Sequence, residues 1–560
     1  MLASPILSLA SSTRSLPSRL PQATSSRRTT ARTQPQASAR ARFGSLHVYM
    51  GFLMSIIGSG MLSVPYTLVL IPKWQALAGI AFVGGSMACT ANALLHAHVH
   101  AAAREEFEAR MLGAGSKFVG FQALARRAGG PALGYAVSVV AASGVYGGCV
   151  GNIQIIRDLT PFVVRLVYGG FADLSASEQD TVTYIVMWSL LAVVLLPLCM
   201  FRKLSALQPT NYVSFVLALY LVGAVVYRSF QGYEPVIDAE TFSSNGTGGL
   251  MSAGSMSANE TFDGSSSGNG TTGFNEIGLP NTKVSTITPT ETSTLNGNSF
   301  TQLAQSISIY NFAFMMTLNL LPLFVQLLGV NSEDKSSRGG ASTRSFVSLV
   351  SAPPLLTARL QMTRCIFGAS LTCAVLYGAL GCAAFGLYST SIDGNILLNL
   401  QNDPVMKVPL LAMYVTVLFT FPLLFLPLRS LVEELLSQSI QSKHDSTGHD
   451  IECGHYSAES ISSDDFSKNS RFGRFIVVLV LLCSQQLIAL TVSGIEVVFS
   501  LMGATSCLVI CYVFPVVAFT MLYPWRRARR GVLWLSFLWI IVGIVTIQGF
   551  TCVWLLLTSQ

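Results

Sequence analysis

The segment Ser55–Tyr66, SIIGSGMLSVPY, places Gly58, Ser59 and Gly60, then Pro65, inside an apolar run long enough to cross a bilayer. Each glycine costs a helix about 1 kcal/mol relative to alanine. Pro65 lacks an N–H and crowds the carbonyl of Met61, four residues earlier. The peptide groups from Ile57 to Met61 are therefore poorly held by helical hydrogen bonds. Unpaired backbone at membrane depth survives only where protein buries it or where it lines a cavity. Such a break has a definite chemistry. Its free N–H groups and positive half-helix end attract an anionic group, and its freed carbonyls attract a cation. Close helix–helix packing through small residues is the plainer reading of the same triplet.

A second interrupted apolar run, Ile309–Leu328, carries Asn311, Thr317, Asn319, Pro322 and Gln326. Ionisable residues inside a membrane are candidates for function. Glu496 stands out at the outer start of its run, either as a proton carrier with a carboxyl perturbed by burial or as a solvated carboxylate in the turn TVSGIE. Arg157 and Asp158 read as an interfacial ion pair. His96 and His100 share a helical face at i, i+4, but no third ligand lies nearby in sequence, so no metal is expected. Most of the 11 cysteines fall in apolar runs, where small apolar filler is the simplest role. Neither a phosphate-binding glycine loop nor a serine set among convergent His and Asp marks an enzyme, and no cofactor is expected.

The elements that must position these groups follow from composition. Apolar residues make up 51% of the 560, charged residues only 11%, and mean hydropathy is +0.54. Soluble domains carry about a quarter charged residues. Runs near the twenty or so residues needed to cross hydrocarbon predict eleven helices, at 46–71, 76–100, 131–157, 181–201, 209–228, 303–329, 363–388, 407–430, 473–492, 494–523 and 531–557. With a cytosolic N-terminus, 28 of the 34 Lys and Arg fall on the inner side, as the positive-inside rule requires. The net charge of +7 thus reports topology and contact with anionic lipid rather than nucleic-acid binding.

The segments between the helices divide the chain further. Residues 1–44, rich in Ser, Arg and Ala and free of Asp and Glu, read as a disordered basic tail or a targeting segment. Residues 45–228 hold helices one to five. Residues 229–302 form a low-complexity extracellular or lumenal loop with glycosylation sequons at Asn245, Asn259 and Asn269. Residues 303–523 hold helices six to ten, with a flexible cytosolic tether at 431–472, and residues 524–560 the eleventh helix and C-terminus.

Five stretches in order carry a resemblance: IIGSGMLSVPY, FAFMMTLNLLPLF (Phe312–Phe324), AAFGLYSTSIDGNILLNL (Ala383–Leu400), FTFPLLFLPLRSLVEELL (Phe419–Leu436) and IEVVFSLMGATSCLVICYVFP (Ile495–Pro515). Together the chain resembles the amino acid/auxin permease family over about residues 45–557. The resemblance implies an all-α, LeuT-like fold with two inverted five-helix repeats plus one helix, and secondary transport of amino acids. It implies that Ile57, Gly58, Ser59 and Gly60 hold the substrate α-carboxylate while Phe312, Ala313 and Phe314 face its amino group or side chain. Where sodium-coupled members of that family have an Asn four residues before the first glycine, this chain has Met54, a thioether and a poor ligand for a hard cation. Thr317 replaces a histidine common in the sixth helix. Thr416 and Thr420 are the hydroxyls left for a sodium site, so proton coupling or facilitated passage is expected over sodium. An amino acid sensor of the same fold, or a carrier of another small metabolite, is the alternative. The plasma membrane or a vacuolar or lysosomal membrane is the expected location, with a plastid or other organelle as the alternative.

Overall fold

The computed structural model describes residues 46–112, 120–200, 208–232, 299–336, 353–447, 463–492, 494–527 and 529–558. Over these the chain is all-α, with no strand among the described residues. Hydrocarbon offers the backbone no hydrogen-bond partner, so a spanning segment must satisfy its own amides. Long helices result. Ten are long and apolar enough to cross a membrane, and a pair bent by 48° makes an eleventh. That pair is α1, in two pieces: α1a (Leu46–Ile56) and α1b (Ser59–Leu70). There follow α2 (Lys73–Leu112), α3 (Phe121–Val167), α4 (Ser177–Met200) and α5 (Gln208–Phe230). The sixth span is also in two pieces, α6a (Ser299–Ala313) and α6b (Thr317–Ser336). Then come α7 (Pro353–Tyr388), α8 (Lys407–Thr447), α9 (Ser463–Thr491), α10 (Ile495–Leu522) and α11 (Arg529–Thr558). Each of the eleven runs predicted from sequence overlaps one of these spans.

The spans are not equivalent. In α10, 67% of the most apolar window is buried by protein, against 22% in α4 and in α5. α2, α3, α6 and α10 therefore form the interior, and α4, α5, α9 and α11 face outward. Exposed Leu533, Ile547, Phe550 and Trp554 give α11 a lipid-compatible face. The broken middle of α1 packs against α3, α6a and α10, so both interrupted spans lie in the most enclosed part of the protein.

Four boundaries depart from the sequence reading for identifiable reasons. α3 begins at Phe121 rather than 131, because a short helix precedes it and turns at Gly129–Gly130. Gly130 has φ +79, a conformation that favours glycine, and Pro131 restarts the helix. α3 also runs beyond 157 to Val167, so Arg157 and Asp158 lie inside a helix rather than at its end. α8 continues to Thr447 and α9 begins at Ser463, so much of the segment 431–472, expected as a flexible tether, is helical. Leu431, Val432 and Leu435 recur at helical spacing and pack on the core, and Arg429 pairs with Glu433 one turn on (3.1 Å). The division between α9 and α10, by contrast, falls where the sequence places it, at Gly494, which has φ +86. The tail 1–44, Asn245, Asn259 and Asn269 lie outside the described residues.

Candidate functional site

The first break is built as its residue types dictate. Ile57 N–H donates to Leu53 O (2.7 Å), the last regular bond of α1a. Gly58 then turns extended (φ −115, ψ −158), and its N–H donates back to Ile56 O (2.8 Å). The chain resumes as a tight 3-10 turn, Ser59–Ser63, whose flanking bonds from Met61 N–H to Gly58 O and from Val64 N–H to Met61 O are long (3.4 and 3.3 Å). The N–H groups of Ser59 and Gly60 have no backbone acceptor among the described residues.

The second break falls at Phe314–Met316. Phe314 N–H donates to Tyr310 O (2.9 Å) and Met315 N–H to Phe312 O (3.2 Å), and the helix restarts at Thr317. Met316 and Thr317 N–H again have no backbone acceptor among the described residues. The site thus has free donors where α1b begins, a Thr317 N–H turned to the Cys511 sulfur where α6b begins, and freed carbonyls where α1a and α6a end.

The two breaks touch. A Cβ added at Gly60 would lie 2.8 Å from Ala313 Cα and 3.1 Å from the Phe312 ring, so only glycine allows this approach. Gly58 is the reverse. It is exposed, and a Cβ there would meet nothing within 4 Å. One side of the break is sealed and the other opens on free space, with Ser59 half-buried at the boundary.

Cross-bonds hold this arrangement. Thr67 donates to Val64 O (2.6 Å), which leaves its oxygen to accept from the buried Tyr310 hydroxyl (2.6 Å), joining α1b to α6a. Asn319 Nδ2 donates to Ser55 Oγ (2.7 Å), joining α6b to α1a. Tyr512 of α10 donates to Asn311 Oδ1 (3.0 Å). Tyr377 of α7, only 1% exposed, reaches both breaks at once: its hydroxyl donates to Ile56 O (2.8 Å) and to Ala313 O (3.1 Å).

The residues expected at the site divide. Ile57, Gly58, Ser59 and Gly60 form the first break itself. Ala313 lies against Gly60, and Phe312 stacks on Phe499 of α10 (centroids 4.3 Å apart, 15° between planes). Phe314 is fully buried and turned toward α7, edge-on to the Tyr377 ring at 5.1 Å. Thr317 Oγ1 is buried without a well-formed hydrogen bond, beside the Cys511 thiol. No hydrogen bond among the described residues joins the Thr416 or Thr420 hydroxyl to the breaks. Thr416 lines an apolar groove of about 370 Å³ between α5 and α8, and Thr420 donates to Thr416 O of its own helix (2.9 Å). Met54 is half-buried on α1a.

Glu496 belongs to a separate cluster between α3, α10 and the segment joining α7 to α8. It is half-buried, packed against Gly394 and Gly494, within electrostatic range of Asp158, Asp393 and Arg157. Arg157 pairs with Asp158 (2.9 Å) and also donates to Ala489 O (2.6 Å) and Val492 O (3.0 Å), capping the end of α9. Asn395 Nδ2 donates to the other Asp158 oxygen (2.9 Å). Asp393 is open on one side, yet partial burial and the nearby Asp158 charge raise its carboxyl above the usual range. Three carboxylates thus lie in one neighbourhood, with Arg157 paired to Asp158. Among the described residues no group of three or more His, Cys, Asp or Glu is arranged to hold a metal ion.

Tyr310, Tyr377 and Tyr512 escaped the sequence reading. A tyrosine in an apolar run does announce a hydroxyl that needs a partner, but the partners lie 64 to 321 residues away.

A family model described as transmembrane amino acid transporter protein matches residues 44–258 and 356–556. No curated protein matches significantly.

Proposed function

Because the chain belongs to the transmembrane amino acid transporter family, and is a multi-pass membrane protein, we propose that it carries amino acids by alternating access about the paired breaks in α1 and α6. The α-carboxylate docks on the free N–H groups of Ser59 and Gly60, approaching from the open side at Gly58. The α-ammonium faces the carbonyls that end α6a, around Phe312–Phe314, where partial negative charge collects. Phe312, stacked on Phe499, gives the side chain an aromatic wall. The carrying observation is the asymmetry at the first break, sealed at Gly60 and open at Gly58, with unpaired donors between.

Two contacting breaks, in the first and sixth of eleven spans, support an inverted repeat of five helices each, with α11 added. Coupling is to protons, or absent. Supporting this, Met54 offers no hard oxygen ligand, Thr416 lines the groove between α5 and α8, and the Thr420 hydroxyl donates within its own helix. Glu496, within electrostatic range of Asp393, Asp158 and Arg157, is the proton acceptor.

Uptake of labelled amino acids into proteoliposomes under imposed pH or sodium gradients tests both parts. Competition by free amino acids but not by their methyl esters is expected, with accumulation that follows the pH gradient or none at all. Equal competition by esters would reject the carboxylate dock. Accumulation that needs sodium and ignores pH would reject the coupling.

A further inference from the structure

We propose that Tyr377 is a positioning residue whose hydroxyl proton stands where a coupling cation would otherwise stand, between the carbonyl ends of α1a and α6a. The inference rests on the transporter reading above for its consequence in uptake, but its geometry is independent of it. Where a spanning helix breaks, the last carbonyls of the first half lose their helical donors and carry partial negative charge. In broken-helix carriers such ends gather cations. Here Ile56 O and Ala313 O converge on one oxygen, the Tyr377 Oη, at 2.8 and 3.1 Å. One O–H serves both in a three-centre bond. Ile56 O has a second donor in Gly58 N–H, whereas for Ala313 O the phenol is the only donor recorded among the described residues.

The phenol is held there by its surroundings. Its ring is buried, with Phe314 edge-on at 5.1 Å. Because Phe314 lies in the second break, the ring contact and the hydroxyl contact fix the same segment from two sides. A charge-neutral donor built into α7 thus draws the two breaks together with no ion.

The test is Tyr377→Phe, which keeps the ring and removes only the O–H. The two carbonyls then face a position of oxygen size that a small monovalent cation can fill. In choline-based, sodium-free buffer the variant is expected to show about a tenfold rise in KM with kcat little changed, in the range of ordinary coupling between sites. Sodium or lithium should reverse most of that rise and leave the wild type unaffected. A wild-type KM in choline, or a raised KM that neither cation reverses, would overturn the proposal.

A second readout does not depend on transport. In detergent without substrate, at constant ionic strength, exchanging choline for sodium or lithium should raise the melting temperature of Tyr377→Phe and not that of the wild type. Should wild-type protein take up no amino acid, the transporter reading fails while this shift still decides the role of the phenol. Absence of the shift in a folded variant would also overturn it.

Discussion

Gly60→Ala is the sharpest test of the paired-break geometry. The added methyl would lie 2.8 Å from Ala313 Cα, 3.1 Å from the Phe312 ring and 3.2 Å from Ala313 Cβ. Comfortable carbon–carbon contact needs about 3.5–4.0 Å, so the breaks must part by roughly 1 Å. The closest atom is backbone and cannot swing aside. Overpacking a fitted interior costs about 1–3 kcal/mol. Charged against the arrangement with the breaks in contact, that is about a 5- to 150-fold loss of its population. Gly58→Ala is the matched control. Its backbone is extended, which any residue adopts, and its Cβ meets open space. Initial uptake rates in proteoliposomes, with melting temperatures in detergent, should therefore separate the two. Gly60→Ala is expected to lose at least about tenfold in uptake and to melt earlier. Gly58→Ala should keep the wild-type melting temperature and show its effect in KM, by narrowing the open side. Wild-type uptake and melting in Gly60→Ala would refute the reasoning, because the breaks would then not be in contact.

The Arg228–Asp403 pair joins the end of α5 to the segment before α8, with Nε donating to Oδ2 at 2.8 Å and Asp403 only 3% exposed. Arg228→Ala leaves that buried carboxylate short of its main partner and should destabilise the protein by roughly 3–5 kcal/mol, read as a lower denaturation midpoint. Asp393, whose carboxyl is raised, is more protonated in the folded state than in the opened one, so the local fold gains stability at low pH and loses it as pH rises above about 4. Hydrogen exchange over 389–403, corrected for intrinsic rates, should show falling protection from pH 4 to 7 in the wild type and a flatter profile in Asp393→Asn. Thr416→Val and Thr420→Val should leave uptake within about twofold in sodium and in choline alike, and a sodium-specific loss would place them at the breaks after all.

The first break was legible because its cause is local. Two glycines and a proline weaken the helix wherever it is placed, and the structure breaks at Gly58. The second was legible only as a polar-punctuated run. Its break falls at Phe314–Met316, which holds no glycine or proline, while Pro322 is accommodated within α6b. What opens that helix is tertiary: Gly60 pressed against Ala313, and a phenol from α7 taking the carbonyl. The helical extensions of α3 and α8 were missed because hydropathy reports where hydrocarbon ends and not where hydrogen bonding does. Glu496 was found as an ionisable group in an apolar setting, but its neighbours Arg157, Asp158, Asp393 and Gly394 come from two other stretches of chain. Thr416 and Thr420 rested on resemblance alone, and only packing reveals that one of them faces the outer groove.

The bonds that cross between the interrupted spans have a mechanical implication. Thr67 with Tyr310 yokes one couple of half-helices, and Ser55 with Asn319 yokes the other, so the seam dividing the couples runs through Gly58 and Met315. Tilting one couple against the other about that seam leaves both yokes intact and loads the phenol that bonds to both. The four pieces are thus geared as two levers on a common fulcrum.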